Sequence, residues 1–319
     1  MFKDNLIFSL NATVPVFLMM VFGWMVRRLG LLDDHSTAQV NKFVFRTLLP
    51  ALLFMDLSTA DFRKVWDGGF VLFCIVVTLI CVSIAVLYSF IASRDRNERG
   101  EIIQASYRSS AAVLGIAFVN NIYGHSTMAA LMIVGTVPVY NIIAVLVLSL
   151  TSPDKSEGDS FSTLMKKTLL GIAKNPIILG IAAGMIWSLI GIHQPVIMSK
   201  SISYLGNMAT PLSLIALGAS FRFGDIRGKV GLTAGIAFIK LVLFCSIFLP
   251  VAVSMGFRGE KLIAILVMLG SATTGSCFVM AKNLGHKGSV TAFAVMLTTL
   301  CSALTLTTWL FILKTKGFI

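Results

Sequence analysis

Ten stretches of the chain are nearly free of charge and long enough, or almost so, to cross a bilayer core of about 30 Å as helices. Their limits fall near 6–26, 38–58, 69–92, 102–122, 127–150, 169–191, 199–219, 230–254, 262–283 and 289–313. Short polar segments separate them. The longest, Thr151 to Lys167, is rich in Ser, Asp and Lys and falls between the fifth run and the sixth. A backbone in lipid must satisfy its own hydrogen bonds, so the pattern predicts an all-α integral membrane protein. The first run is itself a spanning helix and not a cleaved leader, because Arg27 and Arg28 follow it instead of preceding it.

The run pattern contains itself twice. Pro15 matches Pro176, Gly23 matches Gly184, Gly30 matches Gly191 and Pro50 matches Pro211, all 161 positions apart. Gly124-His125 matches Gly285-His286 at the same separation. These are mostly backbone-shaping residues, and internal repeats of apolar helices are a signature of secondary transporters. Residues 1–150 form one five-helix repeat, 151–168 a linker and 169–319 the second repeat. Five crossings per copy return the second copy from the opposite side, so the two repeats are expected to be inverted.

Composition adds little charge to this picture: apolar residues make up 56% and charged residues 13% of the 319. The net charge of +12 would suggest nucleic acid in a soluble protein. Here the basic residues sit in short loops, which argues for topology signals and for no nucleic-acid partner. They are denser after odd-numbered runs, among them Arg27, Arg28, Arg94, Arg96, Arg99, Lys166 and Lys167. That bias places the linker in the cytoplasm and both termini outside a cell (inner) membrane. The five cysteines lie inside apolar runs and form no CxxC, so they read as packing residues. No HExxH, GxSxG or Walker A motif is present, and neither an enzyme activity, a metal nor a cofactor is expected.

Runs four and nine differ from the others. Run four carries Ser106, Arg108, Ser109, Ser110 and Gly115; run nine carries Gly270, Ser271, Thr273, Thr274, Gly275 and Ser276. Two readings stand. Small and hydroxyl residues in membrane helices mark close helix packing. They also suit a helix that unwinds at mid-membrane, a break tolerated only where it lines a protein cavity. Gly115 and Gly275 would then give the crossover its flexibility, and half-helix N-termini would point at an anion.

Several motifs resemble the auxin efflux carrier family. They are Asn11-Ala-Thr-Val-Pro15, Val40-Asn41-Lys42-Phe43-Val44, Leu49-Pro50-Ala-Leu-Leu-Phe54, Leu114-Gly115, Lys174-Asn175-Pro176, Ala216-Leu217-Gly218-Ala219-Ser220 and Phe278-Val279-Met280-Ala281-Lys282. The resemblance runs the length of the chain. It implies ten transmembrane helices in two inverted five-helix repeats, with broken helices four and nine crossing at the substrate site. It further implies a carrier for auxin-like monocarboxylates or malonate- and malate-like dicarboxylates. The short linker is similar to that of bacterial members. Two departures stand out: both breaks lack the family's proline, and Phe70–Ala92 contains no acid of the kind proposed to couple protons.

The expected function is alternating-access transport of a small organic anion, with a sodium/bile-acid type of cation-coupled carrier as the alternative and a membrane sensor behind it. Coupling to a proton or sodium, and a homodimer, stay open. The substrate carboxylate is expected beside Ser109, Ser110, Thr273 and Thr274, with Asn141 as either a contact or an interhelical hydrogen bond. Arg108 is either a charge partner for the substrate or a snorkelling cation. Lys42 and Arg46 share a helix face, as gating charges or interface anchors. Lys240 lies at mid-run with no partner in view. Asp56 is expected near the outer interface beside Arg63 or Lys64, and His125 and His286 as helix C-caps.

Overall fold

The computed structural model describes residues 2–59, 67–111, 119, 122–123, 127–152, 174–191, 194–220 and 229–319. These residues are helical, with no strand among them and one isolated bridge. Helix α1 spans Phe2–Arg28. Helix α2, Asp34–Phe43, runs through a π turn at Val44–Leu48 into α3, Leu49–Ser58. Then follow α4 (Gly68–Ala92), α5 (Arg96–Tyr107), α6 (Thr127–Thr151), α7 (Pro176–Ile190) and α8 (Val196–Ser220). Helix α9 (Val230–Phe238) continues through a second π turn, Ile239–Leu243, into α10 (Phe244–Ser254). Helices α11 (Gly259–Gly270), α12 (Ser276–Asn283) and α13 (Ser289–Thr315) complete the chain. Five helices among the described residues are long and apolar enough to cross a membrane: α4, Leu131–Thr151 of α6, α8, Val230–Ser254 and α13.

Local chemistry sets the helix ends. Asp33, Asp67, Asp95 and Asn175 each accept a hydrogen bond from a backbone N–H of the first turn that follows. Pro176 follows Asn175 at a position where its missing N–H costs nothing. Lys261 pairs with Asp67 and holds that carboxyl below the usual range. The first π turn has a cause in the sequence. Pro50 offers no N–H to the carbonyl of Arg46, so the ladder slips and the Leu49 N–H reaches back to Val44.

The 161-residue spacing recurs in three dimensions. Gly30 and Gly191 both take left-handed torsions, φ 76° and 74°. A methyl added to Gly23 would fall 2.2 Å from the carbonyl oxygen of Ile215, and one added to Gly184 would fall 2.9 Å from that of Phe54. Phe54 and Ile215 are themselves 161 apart, so each glycine admits the other half's matching backbone. Two acidic caps, Glu101 and Glu260, tie helices together across the chain. Glu101 of α5 accepts from the N–H groups of Gly288 and Thr291 at the start of α13. Glu260 of α11 accepts from Met128 at the start of α6.

Two groups of helices result. Helix α3 packs on α7 and α8, and α1 packs on α8. Helices α4, α5 and α6 pack on one another, as do α9 with α13 and α10 with α11, and α11 joins α6. Helix α1 also touches α13 and links the groups. On α4, Phe70, Cys74, Val77, Cys81 and Ala85 face inward while Leu72, Val76, Leu79, Leu87 and Ile91 are exposed, an apolar outer face suited to lipid.

Candidate functional site

Both helices rich in small and hydroxyl residues are broken. Helix α5 ends at Tyr107 and Arg108 is extended (φ −75°, ψ 118°). Helix α11 ends at Gly270, and Ser271 is extended (φ −78°, ψ 160°). The two stretches meet as an antiparallel bridge between Ser109 and Thr273, in which the N–H of Ser110 donates to the carbonyl of Ala272 at 2.9 Å. Each break thus satisfies backbone groups that the other exposes, the condition for irregular chain inside an apolar protein. The Thr273 hydroxyl adds a bond to the carbonyl of Ala105, and the Thr273 N–H donates to Thr298.

Beside this bridge lies a cavity of about 60 Å³, room for a few waters. Its walls come from both helix groups. Leu49, Leu52, Leu53 and Asp56 of α3 and Thr210 and Ser213 of α8 form one side. Arg108, Ser109, Ser110, Tyr140, Asn141, Thr274, Gly275 and Ser276 are among those on the other. Helix α12 begins here. No side chain caps its N-terminus; the N–H groups of Cys277 and Phe278 bond back to the carbonyls of Thr274 and Gly275, and the positive dipole end lies at the cavity wall, where Gly275 and Ser276 line it.

Arg108 is 3% exposed. Its guanidinium donates to Asn141 Oδ1 at 2.9 Å, to Met280 Sδ at 2.8 Å and to Ser276 Oγ at 3.2 Å. All three partners are neutral, and Nε has none. Asn141 is itself held by a bond from Nδ2 to the carbonyl of Val137, so it steadies the guanidinium. Lys240 is fully buried within the second π turn and donates to Ser109 Oγ at 2.8 Å. An ammonium can only donate, so the Ser109 hydroxyl proton is left to point elsewhere. No ion pair joins either buried cation to a carboxylate among the described residues.

Of the residues expected at a site, Ser109, Ser110, Asn141, Arg108, Thr274 and Gly275 line the cavity. Thr273 does not; its bonds hold the two breaks together. Lys240 touches the cavity only through Ser109. Lys42 and Arg46 are exposed, away from it. Gly275 has ordinary right-handed torsions (φ −59°, ψ −25°). A methyl there would lie 3.1 Å from Leu214 Cδ2, and close packing on α8 is what it permits. Gly115, Arg63, Lys64 and His125 lie outside the described residues. At the end of α12 the cap is Gly285 (φ 87°), while the ring of His286 bonds the carbonyls of Asn97 and Leu148. Sequence reasoning missed Ser276 as a lining residue and did not see that Asp56 lines the cavity. Ser276 stood in view beside Gly275, and Asp56 shares the helical spacing of Leu49, Leu52 and Leu53.

Comparison with known proteins points to membrane transporters. Residues 8–310 match the family described as "Membrane transport protein". An uncharacterized transporter of Methanothermobacter thermautotrophicus is 20% identical over 304 residues, covering 94% of this chain and 97% of the relative. The uncharacterized transporter YfdV of Escherichia coli K12 is 23% identical over 274 residues, 83% and 85% of the two chains. A Rhizobium meliloti protein named "Putative malonate transporter" is 21% identical over 313 residues, 94% of each chain. With nearly its whole length matched, the chain belongs to the membrane transport protein family, that of the auxin efflux carriers, and is a multi-pass membrane protein.

Proposed function

We propose that this protein is a secondary carrier for a small organic anion, a mono- or dicarboxylate of the malonate kind. One observation carries the reading: a buried guanidinium without a carboxylate partner faces a cavity that a helix N-terminus also faces. An anion there would gain a charge-assisted bond from Arg108 and the dipole end of α12, with hydroxyls of Ser110, Thr274 and Ser276 in reach. The malonate named for the Rhizobium relative fits this chemistry.

The place of the cavity, between the two helix groups, supports alternating access. One helix group, α1, α3, α7 and α8, would act as scaffold, and the other would carry the crossing breaks past it. The matched contacts of Gly23 with Ile215 and Gly184 with Phe54 support two inverted repeats, residues 1–150 and 169–319, joined by a cytoplasmic linker at 151–168. Both termini would face outward from the inner membrane.

Purified protein in liposomes should take up at least one member of a mono- and dicarboxylate panel. Arg108→Gln should weaken binding of that substrate about ten- to a hundredfold, the scale of one charged hydrogen bond. Absence of any carboxylate movement under every ion gradient tried would sink the reading.

A further inference from the structure

Asp56 presents a second, opposite charge to the same cavity. Its carboxyl and the Arg108 guanidinium both line the cavity without forming an ion pair with each other. Oδ2 is enclosed and has no hydrogen-bond partner among the described residues. Among the described residues the ionisable groups around it are few. Helix α7, packed on α3, carries none, and α8 carries only the exposed Lys200 and Tyr204. Arg46 in the preceding π turn is exposed, and Arg108 and Tyr140 stand across the cavity.

An ionised Asp56 is a poor neighbour for an anion. In so small a cavity the two negative charges would repel, and the carboxylate would weaken the attraction of Arg108. A neutral carboxyl reverses the effect, because it removes the repulsion. The unbonded Oδ2 is where the proton would sit.

We propose that Asp56 is a proton-binding residue of the anion site. It takes up one proton when an organic anion enters and gives that proton back when the anion leaves, so each anion crosses with a proton. The proton comes from the water on the loading side and returns to water on the releasing side. This rests on the anion reading above and adds to it the coupling ion and the residue that holds it.

The sign is fixed by linkage. If the bound anion favours the protonated carboxyl, binding is tightest at low pH. It weakens about tenfold per pH unit once the empty site's Asp56 ionises. The test is malonate binding to the purified full-length chain, by calorimetry in two buffers of unlike ionisation enthalpy across about pH 6 to 9. Uptake should approach one proton per malonate at the basic end. Asp56→Asn, a fixed mimic of the neutral carboxyl, should bind with uptake near zero and hold at basic pH the affinity the unsubstituted protein reaches only in acid. Asp56→Glu should restore uptake.

Malonate binding that depends on Arg108 but takes up no proton, or equal uptake by Asp56→Asn, overturns the proton inference alone. β-Alanine binding that Asp56→Asn abolishes also overturns it, since Asp56 would then pair with an ammonium. Failure of every carboxylate to bind at any pH removes the anion reading and this inference together.

Discussion

Lys240 is the residue whose chemistry is most exposed to test. A lone ammonium inside an apolar helix group costs free energy that one hydroxyl bond does not return. Lys240→Met keeps the volume and removes the charge. The expected outcome is a thermal midpoint equal to or above that of the unsubstituted protein, read by unfolding in detergent. Carboxylate binding should weaken about tenfold, because the field at the cavity and the orientation of Ser109 both change. A variant that unfolds more easily while binding normally would make Lys240 a structural residue and remove it from the site. The sequence marked Lys240 as a buried cation but gave no view of Ser109 across 131 positions of chain. Thr273 went the other way. Its hydroxyl type suggested a ligand contact, yet the hydroxyl is taken up by the carbonyl of Ala105 at the end of α5, while its N–H bonds Thr298 of α13. Residue type was legible in both; the direction in which a side chain points at a break was not, because no helical period applies there.

Glycine-mediated contact is the recurrent device of the elements. Helices α1 and α8 approach so closely that a methyl on Gly218 would lie 1.9 Å from the carbonyl oxygen of Met20. Backbone cannot yield as a flexible side chain can, so Gly218→Val must force the helices apart. We expect a loss of about 1 to 3 kcal/mol, seen as a lower thermal midpoint. Gly231, with open space around it, is the control, and Gly231→Ala should be near neutral. Unchanged stability in Gly218→Val would mean that α1 and α8 do not pack as described. Element limits were the most legible part of this chain. The run at 230–254 matches Val230–Ser254, and that at 69–92 matches Gly68–Ala92 within a residue. Apolar length and flanking polar caps fix such limits locally. The π turns at Val44–Leu48 and Ile239–Leu243 left no such mark in the apolar pattern, since one extra residue per turn does not change which residues are apolar.

At the scale of the molecule, the cavity lies where the two helix groups face each other. A methyl on Gly275 would stand 3.7 Å from Cβ of Ser213, within the spacing that a disulfide needs. Oxidised Ser213→Cys/Gly275→Cys should therefore bind α8 to the start of α12 and stop uptake into liposomes, and reductant should restore it. Unimpaired uptake by the fully oxidised protein would show that these two walls need not part, against alternating access. The π turns carry a last consequence at this scale. Two identical inverted halves would make the inward- and outward-facing states equivalent by a two-fold rotation about an axis in the membrane plane, and so equal in energy. The stretch matching Ile239–Leu243 lies in α4, which is regular helix, and Leu79 holds the place of Lys240. On the carrier reading that degeneracy is broken. The empty protein would then rest toward one side of the membrane, with the buried Lys240, matched by Leu79, contributing to the bias.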